Sequence, residues 1–491
     1  MRAIASILLI IIMPSAGYSY EIGDRVLSYT LKNGLRILMV ERHLSPTVSL
    51  YIRHRVGAVD ESDGRTGTAH LLEHMLFKGT RTIGTKNYHE EQKILKLIAQ
   101  TGKELDLEKM KGKNAKKSRI QSLSERMENL QKEHKKWVIE NEIDRLYVEN
   151  GGDNVNASTG QDLTTYHVSL PSNKIELWAR IEADRMTGPV FREFYSERNV
   201  VMEERKQRIE SEPDGQLYEQ FLATAFIAHP YRRPVLGWPS DMRFLSLEYT
   251  EVFFKRYHAP NNTVIVVVGD IDPANTLTMI TKYFGAIPSR HLDPSPITEE
   301  PPQKGERRVD IVSDANPQMV IGYHKPAMPH FDDYVFDLIE CILSKGRTSR
   351  FYKVLVEEKA LAESVHAVNG LPGAKYDNLF AIFAKPRHPH TNAEIEAAIY
   401  DEIETLKTKP VTTRELEKAK NQIRADFIRS LRSNSGLANL LSYFEAVTGS
   451  YKYITDHIKV IERVTSDDIV RVAKKYLTSD NRTVAKLVYK N

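Results

Sequence analysis

The stretch that decides the fold is residues 64–80, "GRTGTAHLLEHMLFKGT". His70 and His74 stand four apart, with Glu73 beside the second. Gly67 and Thr68 precede the pair and Gly79 closes the run, so the spacing predicts a helix over 66–78. On a helix the two imidazoles share one face, one turn apart. Both can then reach one zinc at about 2.0–2.1 Å. Glu73 lies on nearly the same face, placed to reach a water on that metal without being a ligand itself. A catalytic zinc takes three protein ligands and keeps a fourth position open, so a third ligand is needed from elsewhere in the chain. A carboxylate would complete a His-His-Glu set. The competing reading is an amphipathic helix with partly exposed His and Glu residues, because H-x-x-E-H alone is short enough to arise by chance.

Working outward, residues 26–60 read as strands. "RVLSYTLKNGLRILMVE" holds a hairpin-like "KNG" between two alternating runs, and "TVSLYIRHRVGAVDE" alternates again. Residues 88–147 change character: charge-dense, free of proline, with Leu, Ile, Met and Trp at three- and four-residue steps. That pattern is a helical hairpin with "MKGKNAK" as its turn, and its charges read as a solvated face. Residues 152–171 return to strand composition, and "NTVIVVVGDID" is a buried strand. A proline-rich polar linker, 288–305, separates this half from a second that also opens on strands. The ends of the halves echo each other. "FFKRYHAPNNTVIVVV" at 253–268 matches "VAKKYLTSDNRTVAKLV" at 472–488: a helix ending in Lys/Arg-Tyr, a turn with Asn, then a Thr-Val strand. Two related α+β domains follow from that echo.

The 491 residues, 41% hydrophobic and 27% charged, suit a folded chain of more than one domain. A net charge of +4 gives no clustered basic face, and nucleic acid is not expected as a partner. Residues 1–19, "MRAIASILLIIIMPSAGYS", have Arg2, an apolar run too short to span a bilayer, Pro14, and small residues at the end. They read as a cleaved secretory signal, with export to a periplasm or beyond and no membrane span after cleavage. The single cysteine, Cys341, cannot form an internal disulfide and reads as a buried, inert thiol. His388 and His390 read as surface residues of a polar loop, and His229 as structural.

"HLLEHMLFKGT" resembles the inverted zinc motif of the M16 family of metallopeptidases: insulinase, pitrilysin and mitochondrial processing peptidase. "NASTGQDLTTYHVSLP", "ERNVVMEERKQRIESEP", "HPYRRPVLG" and "LSKGRTSRFYKVLVEEKALAESV" resemble further family blocks. The resemblance covers the mature chain except the 88–147 helices, which look like an insertion of a bacterial branch. It implies an α+β fold of two related domains, 20–287 and 306–491. Each is a mainly antiparallel sheet packed with helices, clam-like around a cavity. It implies one zinc per chain on His70, His74 and Glu204, with Glu73 as general base. Glu197, two helical turns before Glu204, supports the site from behind. Glu203 stays open as an alternative to Glu204. Asn156, Ala157, Ser158 and Thr159 match an exposed edge strand that pairs with an extended peptide substrate.

The implied activity is zinc-dependent endopeptidase action on peptides or unfolded segments. A protease dedicated to one leader or precursor peptide, and a non-catalytic scaffold subunit, are the alternatives. One departure matters. Many family members carry an Arg and a Tyr, seven apart, in the second domain; the matching positions here are Val356 and Glu363. Neither replaces a guanidinium and a phenol as donors to a substrate carbonyl. The expectation is a heterodimer with a related subunit that lacks the zinc motif and supplies the pair, with a homodimer as the alternative.

Overall fold

A computed structural model describes residues 23–291 and 296–489 of the chain. The signal stretch 1–19 and part of the linker, 292–295, therefore lie outside the described residues.

The first half builds a six-stranded sheet. Its strands are β1 (Leu27–Thr30), β2 (Arg36–Glu41), β3 (Thr47–His54), β4 (Asp153–Thr159), β5 (Thr164–Pro171) and β6 (Thr263–Gly269), in the order β1-β2-β6-β3-β5-β4. The second half builds a five-stranded sheet from β7 (Arg307–Ser313), β8 (Gln318–Lys325), β9 (Ala362–Leu371), β10 (Asn378–Pro386) and β11 (Arg482–Tyr489), in the order β7-β11-β8-β10-β9. Both sheets are mixed: β2 runs parallel to β6 and β7 parallel to β11, while the other pairs are antiparallel. The "KNG" hairpin joins β1 to β2 as expected.

Two strand readings change. β3 is buried on both faces from Val48 to His54, so its alternation in sequence does not become alternation in burial. Helices cover both sides of it. Beyond it, residues 58–60 form a 3₁₀ turn. Residues 152–171 are a two-strand hairpin, folded at Gly160–Leu163.

The α-helices longer than one turn are α1 (Thr68–Met75), α2 (Tyr88–Met110), α3 (Lys117–His134), α4 (Glu142–Glu149), α5 (Ile175–Thr187), α6 (Phe194–Arg205), α7 (Pro213–Ala225), α8 (Leu247–Tyr257) and α9 (Pro273–Phe284) in the first half. In the second they are α10 (Phe331–Ser344), α11 (Asn392–Thr408), α12 (Thr413–Ser430), α13 (Asn434–Thr448), α14 (Tyr453–Arg463) and α15 (Ser466–Tyr476). The internal echo is real at atomic detail. Asn262 Nδ2 donates to Tyr257 O at 2.8 Å and to Arg55 O at 3.3 Å. Its counterpart Asn481 Nδ2 donates to Tyr476 O at 2.8 Å and to His324 O at 2.8 Å. In each half one asparagine ties the end of a helix to the end of the neighbouring strand.

The halves interlock. α13 lies on β3 and β6 of the first sheet, with Leu437, Ala438 and Leu441 in one apolar core with Val264 and Val266. Arg53 Nη2 donates to Asn439 Oδ1 at 2.8 Å there. α7 lies in return on β7 and β11. Phe221 packs so closely on Gly322 that a Cβ there would stand 2.4 Å from its ring. Cys341 is buried, and burial pushes its thiol up to about 11, which leaves it inert as expected.

The expected hairpin of the insertion is α2 and α3, turning at 111–116, with a shorter α4 after it. Its charges are not all solvated. Glu91 is fully buried, accepts from Arg192 Nε at 2.7 Å, and pairs with His134 at 2.9 Å. Arg198 Nη1 donates to Asp106 Oδ2 at 2.7 Å. These buried pairs fasten the insertion to α6 and the segment before it, because an unpaired charge in that place is costly.

Candidate metal centre

α1 begins at Gly67, whose φ of 87° belongs to the left-handed region, and where a Cβ would stand 2.3 Å from Met242 Sδ. Glycine has no side chain to cap the helix. Glu61 does so instead: its two carboxylate oxygens accept from Gly67 N at 2.8 Å and Ala69 N at 2.7 Å. The helix is shorter than 66–78. It ends at Met75, and Phe77 and Lys78 bond back three residues in a tighter turn.

His70 and His74 project from one face of α1 toward Glu204 on α6. Glu204 Oε2 lies 3.8 Å from His70 Nε2 and 3.5 Å from His74 Nε2. Both separations are too long for good hydrogen bonds. They are close to the roughly 3.3–3.6 Å between ligand atoms of a tetrahedral ion with bonds of about 2.0–2.2 Å. Among the described residues this is the only His, Cys, Asp and Glu group so arranged. Two imidazoles and one carboxylate oxygen suit zinc, so the residues present fit it. Glu203 is 59% exposed beside Lys206, so Glu204 and not Glu203 stands with the two histidines.

Burial pushes His70 down to about 3, so its imidazole is neutral and ready to donate a lone pair. Burial acts the same way on His74, but the bond from Glu197 and the charges of Glu197, Glu204 and Glu73 outweigh it and raise the pKa. Glu197 Oε1 meets His74 Nδ1 at 2.9 Å, which leaves Nε2 for the ion. Glu197 Oε2 in turn pairs with Lys78 at 2.7 Å. His70 Nδ1 is buried without a partner.

Glu73 is 9% exposed, and burial raises its pKa above the usual carboxylate value. Thr159 Oγ1 donates to its Oε2 at 2.5 Å. Thr159 ends β4, which pairs only with β5 and so leaves its other edge open. Asn156 and Ser158 are exposed on that strand, and Ala157 and Thr159 half-buried. All of the expected site residues therefore gather around α1, α6 and β4.

The sequence reading missed two contacts. Thr159 touches the base itself. Arg208, in the π turn Lys206–Glu210, donates from Nη1 to Glu204 Oε1 at 3.0 Å, so the two oxygens of Glu204 face different partners. The four-residue spacing of Glu204 and Arg208 was the available signal.

The second half repeats the frame without the chemistry. Counted from their N-caps Gly67 and His330, Asp333 and Asp337 of α10 take the places of His70 and His74, and Phe336 the place of Glu73. The Lys325 ammonium pairs with Asp333, and Asn369 Nδ2 donates to Asp337 Oδ1 at 2.8 Å. Burial first, then the charge of Asp333, push Asp337 up to about 8. Val356 packs against the second-half core from the π turn Tyr352–Glu358, and Glu363 is exposed on β9. His229 is buried and accepts from Tyr231 N, a structural role as expected. His390 pairs with Glu394 at 3.1 Å, an acid not anticipated for that loop.

The chain matches the Insulinase (Peptidase family M16) family over residues 36–121 and 120–238, and the Peptidase M16 inactive domain family over 245–423. It is 27% identical to zinc protease PqqE of Helicobacter pylori over 466 residues, covering 93% of this chain and 91% of that one. It is 22% identical to the uncharacterized zinc protease YmxG of Bacillus subtilis, covering 92% and 96%. Among solved structures, a protease from Helicobacter pylori superposes with a TM-score of 0.79 at 26% identity, covering 94% of this chain and 99% of that one. The peptidase M16 inactive domain from Pseudomonas fluorescens does so at 0.75 and 16% identity, covering 95% and 98%, a likeness of fold. With the His70–His74–Glu204 group in the first half and its altered counterpart in the second, the chain belongs to the M16 peptidase family.

Proposed function

We propose that this protein is a zinc-dependent endopeptidase that hydrolyses peptides or unfolded segments held as an added strand. The observation that carries the reading is Glu73: a buried carboxylate beside the ligand set, oriented by Thr159. A scaffold subunit has no need of a base in that position. His70, His74 and Glu204 would hold the ion, which when bound supplies Lewis acidity toward the scissile carbonyl and lowers the pKa of a nearby water. Glu73 takes the attacking water's proton and delivers it to the leaving amine. Its raised pKa makes it a stronger base. Thr159 holds one carboxylate oxygen and leaves the other to move the proton. The open edge of β4 offers main-chain hydrogen bonds to an extended peptide, with Asn156, Ala157 and Ser158 along it. Glu197 fixes the tautomer of His74.

The absence of an Arg and a Tyr at Val356 and Glu363 favours a second reading of the assembly: a related subunit supplies those donors, within an exported complex whose halves close around the substrate. The test is metal content and turnover on one preparation. One zinc per chain, hydrolysis of a fluorogenic peptide library lost to a chelator and restored by zinc, supports the peptidase reading. A chain that takes up no zinc would sink it. Strong turnover by the isolated chain would remove the need for a partner.

A further inference from the structure

The turn Gly160–Leu163, which joins β4 to β5, leads straight out of Thr159, the residue that bonds the base. Gly160 N donates to Leu163 O at 2.9 Å and closes the turn. The first half holds it from one side. Ala58 N donates to Gly160 O at 3.1 Å, Val59 N to Gln161 O at 2.9 Å, and Gln161 Nε2 to Arg233 O at 2.8 Å.

Asp162 turns the other side of the same turn to the second half. Its carboxylate is buried, and its Oδ2 accepts from Ala374 N at 2.7 Å and Lys375 N at 3.1 Å, in the loop between β9 and β10. Its Oδ1 accepts from Tyr231 Oη at 2.7 Å, and that hydroxyl accepts from Tyr376 N of the same loop at 3.2 Å. Gly373 lets the loop come this close: a Cβ there would stand 2.5 Å from Asp162 Oδ2 and 2.6 Å from Tyr231 Oη. Two successive main-chain amides aimed at one carboxylate form an anion-holding concavity, and bonds to an ionised acceptor are roughly twice as strong as neutral ones. The loop is anchored in turn. Leu379 and Ala381 of β10 share one apolar core with Val59, Phe226 and Tyr231. Only Gly160 and Gln161 separate Asp162 from Thr159, whose Oγ1 donates to Glu73 Oε2. A closed turn of that length passes a shift of Asp162 on to the end of β4. Displacing a group that orients catalysis by about 1 Å can cost about 10²-fold in rate.

We propose that Asp162 is a positioning residue for Glu73: through the turn 160–163 it lets the β9–β10 loop of the second half set where Thr159 meets the base. The inference rests on the peptidase reading of the metal centre. It gives the altered half a part in hydrolysis that requires none of its own groups to touch the substrate. A clasp that merely held the halves together would use the same bonds, so the two roles are separated by what their loss does to turnover.

The test compares Asp162→Asn and Gly373→Ala with the unsubstituted full chain, zinc-loaded and assayed with any related subunit that co-purifies. Asparagine keeps the size of the side chain and an acceptor for Tyr231, but sets donors of its own against the two main-chain amides. Gly373→Ala disturbs the same contact from the second half and leaves the carboxylate in place, so one variant carries the test if the other does not fold. On one fluorogenic peptide the expected result in each is kcat lowered about fivefold, KM within about twofold and zinc content unchanged. In a Thr159→Val background the same changes should lower kcat by less than about 1.5-fold, because the bond they act through is already gone. Unchanged kcat in a folded variant, an undiminished loss in the Thr159→Val background, or a change confined to KM would each overturn the proposal. Hydrogen exchange over residues 153–160, followed by mass spectrometry, needs no turnover and should quicken at least about threefold in both variants. Unchanged exchange would mean that the turn is held without the second half, which also overturns it. Absence of turnover in the unsubstituted chain overturns the peptidase reading and the role at Glu73 with it, while exchange still reports whether the clasp holds β4.

Discussion

The two oxygens of Glu204 are sorted by their neighbours. Oε2 faces both imidazoles, while Oε1 accepts from Arg208. Arg208 thereby holds the carboxylate for ligation through one oxygen. Groups that orient ligands in this way cost about 10–100-fold in metal affinity when removed, and an exposed arginine belongs at the low end. Arg208→Ala should weaken zinc binding about tenfold, read by competition with a chromophoric chelator; unchanged affinity would make the pair an ordinary surface contact. Thr159→Val should leave zinc content unchanged and lower kcat about tenfold, equivalent to ~1.4 kcal/mol at the transition state. A fall in zinc content with it would instead mean that Thr159 supports the metal. The two histidines were legible in sequence because a helix turns a spacing of four into a shared face, whereas Glu204 came only from the family resemblance. Thr159's bond to Glu73 was not legible, because it joins elements 86 residues apart and only the folded sheet brings them together.

At the scale of elements, the insertion and α10 show how charge works once buried. Glu91 on α2 is enclosed with Arg192 and His134. Glu91→Ala leaves the Arg192 guanidinium buried without its carboxylate and should cost about 3–5 kcal/mol, measured by chemical denaturation. A loss below about 1 kcal/mol would place the pair among solvated contacts. The sequence made these helices plain but read their charges as a solvated face, because periodicity marks an apolar stripe and cannot tell which charges meet a partner. α10 gives the opposite pH sign from an ordinary salt bridge. Asp337 holds its proton up to about 8 in the folded chain, against an ordinary value near 3.8. Between those values the folded state binds more protons than the unfolded one, so stability is full below the lower value and falls as pH rises through about 8. Asp337→Asn should flatten the decline of Tm across that window. An unchanged profile would mean that Asp337 is ionised throughout.

The whole molecule is a repeat whose two copies have exchanged a helix. α13 of the second half covers β3 and β6, and α7 of the first covers β7 and β11. The echo of 253–268 in 472–488 revealed the repeat, since both copies keep the same helix–asparagine–strand join. The exchange left no local mark, because α7 and α13 are apolar on the packed face whichever sheet they meet. A chain of residues 20–287 alone should therefore expose the face of β3 and β6, and should become soluble and ordered only when mixed with 306–491. An independently stable first half would contradict the interlock. The exchange also joins the half that carries His70, His74 and Glu204 to the altered half as one scaffold. The measurement that tests the proposed role of Glu73 most directly is zinc content and peptide hydrolysis in Glu73→Gln beside the unsubstituted chain, each assayed alone and with any related subunit that co-purifies. The account predicts one zinc per chain in both and hydrolysis only in the unsubstituted chain. Hydrolysis surviving in Glu73→Gln, or zinc lost with the carboxylate, would contradict it.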